Sequence, residues 1–257
     1  MRLTRIATMA VLAVTLIGGV ILGSHSWNGY HWARTSNPFT IKLGDNVSGP
    51  KIAPGAWDVA LNFASTDWTQ SSVLDTVIVA GQTNPRNCRP TSGQVEVCNS
   101  TYGNNGWLGV AQIWISGSHI TQGVVKLNDT YFNTATYNTS AWRQFVMCQE
   151  IGHTFGLDHQ DENFNNENLG SCMDYTNDPS SNQHPNQHDF DQLEAIYNSH
   201  LDSTTTISQS SPGASNVDLD HPSQWGQLMQ STRGGRLQVF ERIFGNGERI
   251  VTFVIWA

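Results

Sequence analysis

"CQEIGHTFGLDH", residues 148–159, sets two histidines and a carboxylate at spacings that decide how the rest of the chain is read. On a helix, Gln149 and His153 stand four apart and share a face, with Glu150 beside them. Gly156 follows three residues after His153, where a glycine can end a helix in the left-handed conformation. The chain then turns, and His159 returns to the point that Gln149 and His153 face. Three side chains converging on one ion, with Glu150 placed to contact a water molecule, leave a fourth position open. That is the form of a catalytic rather than a structural zinc site.

Working outward, a helix is expected from about Ser140 to Leu157, with Ser140 as its N-cap and Trp142, Phe145, Val146 and Ile151 on its apolar face. Upstream, "NPFTIKLGDNVS" (37–48) alternates like a first strand, and "AWDVALNFASTDW" (56–68) reads as a helix with Ala56, Val59 and Phe63 on one face. "SVLDTVIVAG" (72–81) suits a buried strand, and "WLGVAQIWIS" (107–116) and "GVVKLND" (123–129) are two more strands around a turn. Downstream, the Asn- and acid-rich stretch 161–170 lacks the alternation of a calcium-binding loop and reads as solvated. A last helix follows in "QHDFDQLEAIYNSH" (187–200), where Phe190, Leu193, Ile196 and Tyr197 recur at helical spacing. His184 and His188, nearby, read as solvated loop residues rather than ligands.

The full chain has 257 residues, enough for one domain with appendages. Met1 to Arg5 holds two arginines and Ile6 to Leu22 is uncharged and apolar, the layout of a secretory signal. Residues 1–26 are therefore expected to be a signal peptide, with the mature chain starting near Trp27; uncleaved, the segment would be a membrane anchor. The expected organisation is a main domain over 27–200, a Ser/Thr-rich linker over 201–213 and a C-terminal β-hairpin extension over 214–257. The hairpin turns at Gly245-Asn246-Gly247, and because an isolated hairpin is marginal in water it should dock on the main domain or a partner. Only 13% of residues are charged and the formal net charge is -8, which excludes nucleic acid as a partner. Four cysteines, an even number in an exported chain, imply two disulfides: Cys88 with Cys98, closing a short loop, and Cys148 with Cys172. Asn46, Asn99, Asn128 and Asn138 head glycosylation sequons. No cysteine-bearing latency segment precedes the first strand, so an N-terminal zymogen device is not expected.

The motif Q-E-I-G-H-T-F-G-L-D-H, followed by "SCMDY" (171–175), resembles the metzincin signature H-E-x-x-H-x-x-G-x-x-H with its Met-turn. The strands at 107–116 and 123–132 are similar to the substrate-flanking edge strand and the strand after it in the matrixin branch. The likeness covers most of Pro38 to His200. It implies an α+β metzincin-like domain: a twisted mixed sheet, an active-site helix, a Met-turn and a C-terminal helix. It further implies a secreted zinc endopeptidase acting on extracellular protein or peptide, with substrate extended along Gly109 to Ile113. His153 and His159 would be zinc ligands and Glu150 the general base. Met173 would floor the metal, and Tyr175 would either assist at the site or simply pack. If the Met-turn lies under the helix, Cys148 and Cys172 come within bonding distance.

Gln149 departs from this pattern, since it stands where the family has its first ligand histidine. Its carbonyl oxygen is a poorer donor to zinc than imidazole, though it reaches from the same helix position. Three outcomes stay open: Gln149 coordinates weakly, a water or another side chain substitutes, or no metal binds. The corresponding alternative function is a catalytically silent fold that serves as an extracellular binding protein, using the cleft or the C-terminal hairpin.

Overall fold

The computed structural model describes residues 25–49, 55–205, 219–232 and 234–257. Most of the expected signal segment, part of the linker and the first residues of the tail lie outside this range. Among the described residues, no helix is long and apolar enough to cross a membrane.

The fold is α+β. Strands β1 (His31–Trp32), β2 (Phe39–Asn46), β3 (Leu74–Ala80), β4 (Val95–Ser100), β5 (Trp107–Ser116) and β6 (His119–Asn128) alternate with helix α1 (Trp57–Trp68). Helices α2 (Asp129–Phe132), α3 (Ser140–His153) and α4 (Gln187–Tyr197) follow, and the tail adds β7 (Gln227–Ser231), β8 (Leu237–Ile243) and β9 (Arg249–Trp256). Among the described residues the strands all join one mixed sheet in the order β3-β2-β4-β6-β5-β9-β8-β7, with β1 alongside β6. β2, β3, β4 and β6 pair in parallel, whereas β5 runs antiparallel to β6 on one side and to β9 on the other.

α1 and α3 pack on one face of the sheet. The buried residues of α1 are led by Trp57, Ala60, Leu61, Ala64 and Trp68. Phe63, read as core from its spacing, is 52% exposed; the tryptophans at the two ends set the helix rotation instead. The side chain of Thr139, not Ser140, caps α3 by accepting from the Trp142 amide at 3.1 Å, and the helix stops at His153 rather than Leu157. β3 is an edge strand and only partly buried. β4 starts within the stretch closed by Cys88–Cys98, which its turn-forming residues disguised as a loop, and runs on to Ser100.

The opposite face is covered by a second apolar cluster containing Trp107, Val110, Trp114, Trp225, Ile250 and Val254. β9 is therefore apolar on both sides: Val251, Phe253 and Ile255 face the main core, while Ile250 and Val254 face this second cluster. A strand buried on both faces needs a paired edge, and β5 provides it. Three of the sequon asparagines, Asn46, Asn99 and Asn128, are buried within the sheet region at 7%, 3% and 0% exposure, so this fold gives a glycosyltransferase access only to Asn138.

Candidate metal centre

The second half of α3 is buried all round, and from it Gln149, Glu150 and His153 project within one turn of each other. Beyond His153 the backbone leaves the helix, and Gly156 adopts φ +93°. A Cβ at this position would run into the Tyr30 carbonyl oxygen, so the turn requires glycine both for its dihedral and for the approach of the N-terminal segment. That segment is bound to the turn directly: the Trp27 amide donates to the Gly156 carbonyl at 3.0 Å, and the Asp158 amide donates to the His25 carbonyl at 2.6 Å.

The turn brings His159 back against His153, with ring centroids 4.4 Å apart and planes at 75°. Each ring is held from behind. His153 Nδ1 lies 2.9 Å from the Leu157 carbonyl, so its proton is on Nδ1 and its lone pair on Nε2. His159 Nδ1 lies 2.5 Å from the Tyr175 hydroxyl and 3.2 Å from Asp158 Oδ1. His159 Nε2, Glu150 Oε2 and both amide atoms of Gln149 are buried without a hydrogen-bond partner. Unpartnered polar atoms are rare in protein interiors, and a group of them calls for an ion or a water molecule.

Burial sets the electrostatics. It pushes the Glu150 carboxyl well above the ordinary range, against a hydrogen bond from the Ala111 amide that works the other way. Burial, reinforced by His159, holds His153 well below the usual imidazole value, keeping the ring neutral as a ligand must be. Burial alone would raise Asp158, but hydrogen bonding and charge attraction from His159 prevail and its carboxyl stays low.

Met173 is fully buried against α3. The helix has no side chain at the contact point: a Cβ on Gly152 would sit 2.7 Å from Met173 Sδ and 2.8 Å from Trp68. A disulfide joins Cys148 on α3 to Cys172 on the turn, with Cα atoms 5.9 Å apart. Ser171 locks the turn from the other side, donating to Asp189 Oδ2 at 2.5 Å and accepting from the Met173 amide at 2.8 Å. Tyr175 is packed rather than open, stacked on Phe164 and bonded to His159. His184 is turned away toward Asp67, and His188 stacks on His25 at 4.5 Å.

The edge at Gly109–Ile113, expected to be open for a substrate, is occupied by β9. Phe253 pairs with Ala111 and lays its ring on His153, centroid to centroid 4.2 Å at 5°. Trp27 closes on Phe253 edge-first at 5.8 Å. Beyond β9 the tail reaches the far side, where Gln230 bonds Glu162, Arg236 bonds Asn177, and the Arg236 guanidinium lies 4.8 Å over the Phe164 ring. Sequence reasoning missed Phe253 and Trp27 as parts of this site; the apolar run of β9, interrupted by Thr252, was the only signal available.

No protein-family model and no curated protein sequence matches the chain. Among solved structures it is similar to high choriolytic enzyme 1, a hatching-enzyme zinc-protease of the medaka Oryzias latipes. That match has 13% identity and a TM-score of 0.36, over 65% of this chain and 94% of that one. It is also similar to myroilysin, at 12% identity and a TM-score of 0.35, over 68% of this chain and 86% of the other. Likeness at this level leaves the chemistry of the site to its own residues.

Proposed function

We propose that the chain is a secreted zinc-dependent endopeptidase of metzincin type. The observation that carries this reading is the pair of crossed imidazoles, His153 and His159, each anchored through Nδ1, beside the unpartnered Gln149 amide and Glu150 carboxyl. His153 and His159 would hold the ion through Nε2, and Gln149 would offer its carbonyl oxygen from one turn earlier. A zinc ion bound there supplies Lewis acidity, polarising a peptide carbonyl and lowering the pKa of a water molecule. Glu150 is the proton carrier: the Ala111 amide of β5 holds its carboxyl, Oε2 is left without a partner, and it lies next to where a peptide backbone would run. Tyr175 and Asp158 orient His159, the Leu157 carbonyl orients His153, and Met173 keeps the floor apolar. The two disulfides suit an oxidising compartment.

Zinc content after dialysis, measured on the full chain and on a His153→Ala/His159→Ala variant, tests the metal. An equivalent of zinc lost with the two histidines supports the reading. Identical content in both forms overturns it. Hydrolysis of a peptide library, with Glu150→Gln as control, then tests the chemistry.

A further inference from the structure

Far from Gln149 in sequence, three histidines and an aspartate meet where distant segments cross. β1 and β6 are parallel, and their register sets His31 beside His119, with ring centroids 4.8 Å apart at 74°. The chain leaving α4 brings the His200 ring 4.8 Å from His31 at 81°. Asp202 then places Oδ1 at 3.0 Å from His119 Nε2 and 3.7 Å from His200 Nε2. His31 Nδ1 faces the Gly29 carbonyl at 2.8 Å, which leaves the lone pair on Nε2; that atom is buried without a partner, on a residue only 5% exposed.

The surroundings hold these groups in place. Arg34, fully buried, donates to Asp202 Oδ2 at 3.4 Å and to the carbonyls of Tyr197 and His200 at 2.6 and 2.5 Å, fixing both the carboxylate and the backbone that carries His200. One ligand atom from each of His31, His200 and Asp202 lies within 4.8 Å of the other two. Near-perpendicular rings let imidazole lone pairs converge on a point. The His25, His188 and Asp189 group brings its ligand atoms equally close, but its two rings are stacked within 10° of parallel, so their in-plane lone pairs run side by side rather than toward one ion.

We propose that His31, His200 and Asp202, with His119 holding the Asp202 carboxylate from behind, form a second site for a divalent transition metal. A donor set of imidazoles and one carboxylate fits tetrahedral zinc. Bound there, the ion would staple the N-terminal strand to the exit of α4.

The test is titration of the dialysed full chain with Zn2+ alone and with Co2+ alone, read as equivalents bound. Wild type should take up two. His31→Gln/His200→Gln should lose one, and His153→Ala/His159→Ala should lose the other. Asp202→Asn, which keeps the cluster's shape, should weaken the second equivalent about tenfold or more. Unchanged stoichiometry in His31→Gln/His200→Gln together with unchanged affinity in Asp202→Asn would overturn the site, whatever happens at His153.

A separate observation, the pairing of β9 with β5, supports a second inference that rests on the endopeptidase reading. We infer that the C-terminal strand is an internal occupant of the substrate groove, so that the folded chain is latent until the tail leaves. β9 pairs along β5 from Trp107 to Ile115 and lays an aromatic ring on a ligand histidine. A peptide cannot use the same edge while β9 is on it. The full chain carrying Phe253→Asp and Val251→Asp should show faster amide exchange over Gly109 to Ile113 and a rise in peptide hydrolysis of at least about tenfold. Faster exchange with wild-type hydrolysis would overturn the latency. Faster exchange with no hydrolysis in either form would instead count against the endopeptidase reading, leaving β9 a plain structural strand.

Discussion

The site around Gln149 and the cluster around His31 use the same kind of side chain and are assembled in opposite ways. The first takes its core donors, Gln149 to His159, from a single helix and turn; the second draws on β1, the start of β6 and the chain beyond α4. The first is buried under an aromatic ring, whereas the His200 side chain of the second is 46% exposed. Local spacing therefore reveals one and hides the other. α4 is the joint between them: its first turn holds the Met173 turn through Ser171 and Asp189, and its last residues lead to His200 and Asp202.

The largest effect should come from Glu150→Gln in a tail-weakened chain, with peptide hydrolysis falling roughly 10²–10⁴-fold while both metal equivalents stay bound. If metal were lost as well, Glu150 would be a ligand and the first site would differ from the second in kind as well as in location.

Next in size is the joint. Burial pushes the Asp189 carboxyl up to about 6, against hydrogen bonds from Ser171 and Asn186. The protonated form is favoured in the fold, so its stabilisation is complete below the ordinary aspartate value of 3.8 and is lost as the pH rises through about 6. Urea midpoints should fall across that window by an amount equivalent to about 3 kcal/mol at most. Asp189→Asn should flatten that slope at both ends of α4.

Gly156→Ala strains a left-handed turn against the Tyr30 carbonyl and should cost about 2–3 kcal/mol, measured by chemical denaturation. The zinc of the first site should leave with it, while cobalt at His31 and His200 persists. Smallest is Gln149→His, which replaces a neutral oxygen with imidazole and should tighten the first equivalent by roughly tenfold, about 1.4 kcal/mol. The second equivalent should not move, since the two sites share no donor.

The contrast also explains what could be read in advance. Helix periodicity and a glycine stop placed Gln149, Glu150, His153 and His159 near one another, because an α-helix and one tight turn are local objects. The helix near residue 60 was found and Ala56 is buried as expected, but Phe63 points out, since Trp57 and Trp68 outweigh it in burial and periodicity alone does not weigh size. β4 and the route of the tail were not legible. Both depend on which edge a strand finds, and strand pairing is settled by contacts between residues far apart in the chain. The neighbourhood of His31 and His119 arises from parallel register between β1 and β6, and nothing in either local sequence announces it.

Pairing with β9 also shields β5 from other molecules. Remove the tail, and β5 presents a row of bare amides and carbonyls between Ala111 and Ile115, largely apolar and open to an extended chain, including another β9. Release of the cleft and exposure of an aggregation-prone edge are thus one event. A chain freed of its tail should be short-lived as a monomer unless peptide or a second copy takes up the edge, so the lifetime of the open form is set by the colloidal behaviour of the sheet as much as by its chemistry.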